Sequence, residues 1–264
     1  MFIGTYEIEK EKYIYHYTTM EKAIKYIIPE KRLRLSPIKN MNDPEERFYR
    51  VYGMEGIIDP ENLLTSRELS ERCGEILTKI VKCVSFSVDD TVFDEMDTTQ
   101  GYGFCKPRMW AQYATNHQGI CLAFDKEIIT KVAFENFSNR ALIGNVFYCN
   151  YPTSLATPID LKIMEEMGHT QYLKKFALES GKILYFVKNK DWTNESEFRI
   201  ICVDTEKEYL YINIEKSLKH IIFGIDSDEK ELKTVQSLIR EYKNKPLVWK
   251  LIYCGLGYGI SERN

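Results

Sequence analysis

Asp191-Trp192-Thr193-Asn194-Glu195-Ser196-Glu197-Phe198-Arg199-Ile200-Ile201-Cys202-Val203 opens as a polar turn and runs on as a strand. Phe198, Ile200 and Cys202 alternate with Arg199, Ile201 and Val203, the period of two that a pleated strand imposes. The same period places Glu195, Glu197 and Arg199 on one face at the strand's beginning. Two carboxylates and a guanidinium aimed alike from a strand edge are a candidate reaction site. They fit equally a solvated ion pair on a sheet rim, because surface charge is the default. Other stretches have to decide between the two.

Upstream, Tyr13 to Thr18 reads as a strand. Thr18-x-x-Glu21 then fits a capping box for a helix carried by Met20, Ala23, Ile24, Ile27 and Ile28, and Pro29 stops it. Leu33 and Leu35 alternate with Arg32 and Arg34 in a short strand. Asp43 suits a helix N-cap, followed by Pro44 and two glutamates at the positive end of the dipole. The spacing predicts a helix over 66–82, a strand over 83–88 and a long polar loop over 89–106. A helix follows from Pro107 to about Asn116, closed by Gly119 in the left-handed conformation, and then a strand over 120–124. Farther on, strand-like runs occupy 142–149, 183–187, 197–203, 209–212, 220–224 and 247–254, with helices around 159–180 and 228–242. The glycine-rich tail, Gly255 to Gly259, reads as a turn. Strands and helices mix without a βαβ rhythm, and neither repeat nor linker divides the chain. The expectation is a single α+β domain over residues 1–264 with a mixed, split sheet flanked by helices.

The 264 residues, 44% hydrophobic, are ample for one core. The 18 tyrosines exceed what a core needs, so many are expected to edge it or line a groove. A net charge of −3 exerts no global pull on nucleic acid or anionic membrane, although a local basic patch is still allowed. The seven cysteines include no C-x-x-C, and Cys83, Cys121 and Cys202 sit in apolar runs, which reads as reduced thiols of a cytoplasmic protein. No apolar run reaches membrane-spanning length, and the N-terminus lacks the basic and apolar regions of a leader.

Phosphate-loop, dinucleotide, zinc-protease and nucleophile-elbow motifs are absent. Five short groups stand out instead: His16-Tyr17-Thr18, Asn42-Asp43-Pro44-x-Glu46, Ser85-Phe86-Ser87, Met109-Trp110-x-x-Tyr113-Ala114 with His117-x-Gly119, and Trp192-x-x-Glu195-x-Glu197-Phe198-Arg199. Each has a plain structural reading: a strand-end histidine, a helix cap, an ordinary strand, a packed helix, an ion pair. Their order over residues 13–224 resembles a bacterial family known as a domain of unknown function. More distantly, it is similar to the ADP-ribosyltransferase superfamily, whose members set a His or Arg on the first strand, a Ser or Tyr next and a Glu, often E-x-E, on a late strand.

That resemblance implies NAD as substrate and cleavage of its nicotinamide–ribose bond, by transfer or hydrolysis, in a toxin or phage-defence role. Glu197 would stabilise the oxocarbenium-like transition state as a fixed carboxylate, and Glu195 would orient or deprotonate the acceptor. His16, Tyr17 and Thr18 would hold the adenosine ribose, and Tyr113 or Trp110 would stack on nicotinamide. Arg34 or Arg108 would take the pyrophosphate, Asn42 would face the cleft, and Ser85 and Ser87 would support the strand beneath. The acceptor it implies is a nucleic acid or a protein. Two other classes stay open: a nuclease or phosphoesterase with a divalent metal on Asp43, Glu46, Glu195 and Glu197, and a non-catalytic module that senses a nucleotide or a protein.

Overall fold

Among the described residues ten strands make the main sheet: β1 Tyr13–Thr18, β2 Arg32–Pro37, β3 Val81–Ser87, β4 Ile120–Asp125, β5 Ala141–Asn145, β6 Glu197–Val203, β7 Leu210–Asn213, β8 Leu218–Phe223, β9 Leu247–Tyr253 and β10 Tyr258–Glu262. They come from a computed structural model that describes residues 8–47, 52–55, 63–90, 101–150, 158–253, 255 and 257–263. The sheet branches at β3. Along one edge β3 pairs with β6 over its full length, from Val81 opposite Val203 to Ser87 opposite Glu197, and β6 pairs onward with β5.

Along its other edge β3 has two partners in succession. β2 meets it at Lys82 and Cys83, whereas β1 meets it only at Ser87. β7 lies outside β2, and β4, β8, β9 and β10 follow β1. The pairs are antiparallel except β8 with β9. The fold is α+β with a mixed sheet, split where β1 and β2 part over Val84, Ser85 and Phe86. A carbonyl left open at such a split needs a donor, and His16 supplies it: its Nδ1 lies 2.9 Å from the Ser85 oxygen.

The two faces of the sheet are packed differently. One carries a continuous core, including Ile14, Leu35, Phe86, Leu122, Phe198 and Ile221, beneath the helical stretch 20–30 and the helices Lys126–Phe137 and Glu229–Leu238. The other carries two separate cores. Cys83, Ile201 and Val203 pack under helices Leu63–Ile80, His169–Glu179 and Gly181–Tyr185. Tyr15, Tyr17, Cys121 and Trp249 pack under helix Pro107–Tyr113. Between these two cores the register sets Ser85 opposite Arg199 and Ser87 opposite both Glu197 and Tyr15, so a polar seam crosses the buried face. Phe198, Ile200, Ile201 and Val203 are each 5% exposed or less and contribute about 1.5–3 kcal/mol apiece. Their burial helps β6 carry two charged side chains into the interior.

Several expectations are corrected. The helix after β1 is capped by Thr19, whose Oγ1 accepts from Lys22 N, while Thr18 is buried in the strand. Pro29 does not stop that helix, which continues to Glu30 and ends at left-handed Lys31. A π turn over Ala23–Ile27 shifts the bonding before Pro29: Ile28 N donates five residues back to Ala23 O. The helix assigned to 66–82 ends at Ile80, because Val81 and Lys82 already pair in β3. Of the run 183–187 expected as a strand, residues 183–185 belong to helix Gly181–Tyr185 and only Val187 enters a strand, and the run 142–149 divides into β5 and Phe147–Cys149. Gly119 is not left-handed; Thr115, Asn116 and His117 are. The tail is no mere turn, since Tyr258–Glu262 pairs with β9. Helix Lys126–Phe137, absent from the sequence expectation, buries Ile129, Ala133 and Phe137 along one face. Of the loop over 89–106, residues 91–100 lie outside those described, as does Cys254. The other six cysteines are free thiols. Among the described residues no helix is long and apolar enough to cross a membrane.

Candidate functional site

The polar seam is an ion network assembled from four segments. Glu197 and Arg199 come from β6. Glu195 ends the 3-10 turn Lys190–Glu195, Lys188 lies in the short strand Val187–Asn189, and Glu46 lies in the helix Pro44–Arg47. All five are buried, from 1% exposed for Arg199 to 8% for Glu46. This decides the first question the sequence poses: the charges are not a solvated rim.

Arg199 grips Glu197 with two parallel bonds, Nε to Oε1 at 2.8 Å and Nη2 to Oε2 at 2.7 Å, the bidentate geometry a guanidinium offers a carboxylate. Its Nη1 donates to the Tyr185 carbonyl at 2.7 Å and pairs with Glu46 Oε1. Lys188 Nζ lies 2.7 Å from Glu195 Oε2, 3.5 Å from Glu197 Oε2 and 3.7 Å from Glu46 Oε2. The other Glu195 oxygen accepts from the Tyr113 hydroxyl at 2.8 Å. Burial alone would raise the pKa of Glu197. The charges of Arg199 and Lys188, with hydrogen bonds from Arg199 and Ser85, override it and hold the carboxyl below its ordinary range. The Tyr113 phenol moves up, first by burial and then by the charge of Glu195. Among the described residues, three carboxylates of the network face two cations, one negative charge in excess.

Glu195 reaches the network through a local distortion. Ser196 adopts φ 42°, a left-handed backbone uncommon outside glycine. It is held there by its hydroxyl, which donates to Asp90 Oδ1 and accepts from Lys106 Nζ, each at 2.7 Å, and by Val88 N donating to its carbonyl. The turn thus brings Glu195 to the same ammonium as Glu197, and Ser87 Oγ donates to the Glu195 carbonyl at 2.6 Å. Half-buried Tyr113 and Ser85 border the network, and exposed Asn42 bonds the Tyr113 hydroxyl through its side chain. A cavity of about 20 Å³ beside Glu46 and Arg199 has room for one water molecule. A broader hollow of about 720 Å³, lined by Lys126, Phe134 and Phe198 among others, lies at the opposite face of the sheet and contains none of the candidate residues.

The other expected residues divide. His16 is linked to the seam through Ser85 but packs its ring edge against Phe86, 5.9 Å away on the opposite face. A carbonyl can only accept, so Nδ1 carries the proton and Nε2 the lone pair. Burial lowers the pKa of His16, which keeps the ring neutral. Tyr17 is buried and donates to the Gly103 carbonyl at 2.7 Å, and Thr18 is buried opposite Ile120. Trp110 is fully buried with its indole N–H on the Phe104 carbonyl, so its ring has no open face and Tyr113 is the aromatic that reaches the network. Arg34 stands apart, exposed over the Tyr209 ring at 4.6 Å. Arg108 lies over Trp192 and donates to the Asp191 carbonyl. Asp43 caps its helix through Oδ1, which accepts from Glu45 N at 2.9 Å.

A divalent metal on Glu46, Glu195 and Glu197 would have to displace Lys188 and Arg199, and Asp43 is turned into its cap. Among the described residues no group of three His, Cys, Asp or Glu side chains is arranged to hold a metal ion. Lys188 was missed because a lysine ending the run Ile183–Val187 reads as the solvated end of a strand. Tyr148, whose hydroxyl accepts from Glu197 N at 2.9 Å, had no motif around it.

No curated protein and no solved structure matches the chain. A family model described as "Protein of unknown function (DUF2971)" matches residues 109–200, a span that includes Tyr113, Lys188, Glu195, Glu197 and Arg199.

Proposed function

We propose that the chain cleaves the nicotinamide–ribose bond of NAD, as an ADP-ribosyltransferase or NAD glycohydrolase. The observation that carries this reading is the meeting of Ser85, Tyr113, Glu195 and Glu197 at the split of the sheet, where His16 bonds the same Ser85. The chemistry suits the charge: as the C1′–N bond breaks, its electron pair leaves with neutral nicotinamide and the ribose turns cationic. A buried network with one excess negative charge stabilises that cation electrostatically, with no reorganisation at the moment of reaction. Glu197, fixed by Arg199, serves as the permanent charge. Glu195, held by one lysine and one phenol, is better placed to accept a proton from water or an acceptor hydroxyl.

The test is nicotinamide release from NAD, with thermal stabilisation by NAD as the binding readout. Release that falls about 10²–10³-fold in folded Glu195→Gln is expected. Folded wild-type protein that neither releases nicotinamide nor is stabilised by NAD would sink the reading. One feature favours a second reading, a binding-only module: every carboxylate of the network already has a cation. Stabilisation by NAD with no nicotinamide released would select it.

A further inference from the structure

The two cations of the network are not equivalent. Arg199 engages both oxygens of Glu197 and one of Glu46, whereas Lys188 makes its short contact, 2.7 Å, to Glu195 alone. Its approaches to Glu197 and Glu46, 3.5 and 3.7 Å, are long for hydrogen bonds and act chiefly as charge. Lys188 is 4% exposed, with the Trp192 ring 4.5 Å from its ammonium, so few other arrangements are open to it. Glu195 is thus gripped from two sides, Oε2 by Lys188 and Oε1 by Tyr113.

We infer that Lys188 is a positioning residue, which holds the Glu195 carboxylate on the side of Tyr113 and exposed Asn42 and keeps it ionised until the acceptor attacks. The inference rests on the reading above for the reaction itself. In that reaction the acceptor O–H proton passes to Glu195 as the acceptor oxygen bonds C1′, and nicotinamide departs with the electrons of the broken C1′–N bond. A protonated Glu195 no longer pairs with Lys188, so the pair resists premature protonation and favours release of the proton afterwards. The groups around Lys188 are Glu46 from its helix, Glu195 and Glu197 before and in β6, Arg199 beyond them, and the phenols of Tyr113 and Tyr148. Among these described groups only Arg199 is a cation, and it is committed to Glu197 and Glu46.

The test compares Lys188→Met, Lys188→Arg and the double variant Lys188→Met with Glu46→Gln. The double variant removes one charge of each sign and so protects against loss of fold. Two readouts are used: kcat and KM for nicotinamide release against pH, and the carboxyl titration of Glu195 by NMR on 13C-glutamate-labelled protein, its signal identified by Glu195→Gln. The expected result is a Glu195 midpoint raised by about one to three pH units in the folded double variant. The acid limb of kcat should move with it while KM changes by less than about twofold, and Lys188→Arg should restore both. An unchanged Glu195 midpoint in the folded double variant overturns the inference. If wild-type protein releases no nicotinamide, the proposed reaction fails, and the titration still decides whether Lys188 holds Glu195.

Discussion

Glu197 has both carboxylate oxygens on one guanidinium, inside a sheet where Arg199 is 1% exposed. From the sequence alone, Glu197→Gln is an isosteric change with little effect on stability. Its burial reverses that expectation, because an amide cannot balance the Arg199 charge and the remaining partner, Glu46, is shared. The substitution should destabilise by up to about 3–5 kcal/mol, read as a lowered denaturation midpoint. An unchanged midpoint would mean that Glu46 alone neutralises Arg199. Asp43 is the contrasting case. It is also buried, but its bond goes to a backbone N–H at a helix start. Asp43→Ser should therefore be nearly neutral, and Asp43→Ala should lose about 1 kcal/mol in thermal unfolding. Loss of function in a normally stable Asp43→Ser protein would put the carboxylate in the site.

At the level of elements, the junction of helix Pro107–Tyr113 with β4 is the tightest piece of backbone. Thr115, Asn116 and His117 are all left-handed, with φ 49°, 49° and 67°. Left-handed backbone costs roughly 1–2 kcal/mol per residue outside glycine. It is fixed by backbone bonds at both ends: His117 N donates to Trp110 O, and the His117 carbonyl accepts from Asp226 N. Gly119 lets the chain turn into β4, because a Cβ there would sit 2.5 Å from the Thr18 oxygen and 2.8 Å from Ala114 Cα. Neither neighbour is a side chain that can swing away. Gly119→Ala should accordingly cost about 1–3 kcal/mol, measured as a loss of urea midpoint. A neutral result would show that the junction has slack. The sequence marked Gly119 as special but for the wrong reason: it suggested a φ, whereas packing decides.

For the whole molecule, the response to acid follows from two buried sites on different wings of the sheet. His220 on β8 is 4% exposed, and the Trp249 indole donates to its Nδ1 at 3.1 Å. Burial, reinforced by Lys12 and Lys219, lowers its pKa from 6.5 to about 4. The folded state thus binds fewer protons than the unfolded chain in that range, and stability should fall as pH drops from 6.5 toward 4. Glu197 acts lower: its depressed folded pKa contributes stability present above 4.5 and lost as pH falls below that value. Denaturant midpoints measured against pH should show both losses, and His220→Gln should diminish the first, which buried His16 shares, while leaving the second. A flat midpoint between 6.5 and 4 in wild type would mean that His220 is protonated in the fold.

The sequence by itself determined the strands at Tyr13–Thr18, Arg32–Leu35, Ile120–Phe124 and Glu197–Val203, the start of the helix at Pro107 and the cap at Asp43. Each is written in local periodicity or in a side chain bonding its own neighbourhood, so no distant residue had to be known. The grouping of Glu195, Glu197, Ser85, Ser87 and Tyr113 as residues of one site came from the resemblance to known families, since each segment read locally has a plain structural account. Only the tertiary structure decided that β1 and β2 part over Ser85, that Trp110 is sealed while Tyr113 is open, and that Arg34 stands apart. It alone supplied Lys188, because a lysine's role depends on which carboxylates arrive around it from elsewhere in the chain. Burial is the physical reason: at a water-exposed rim these charges would be worth little, and between two cores they hold one another in place.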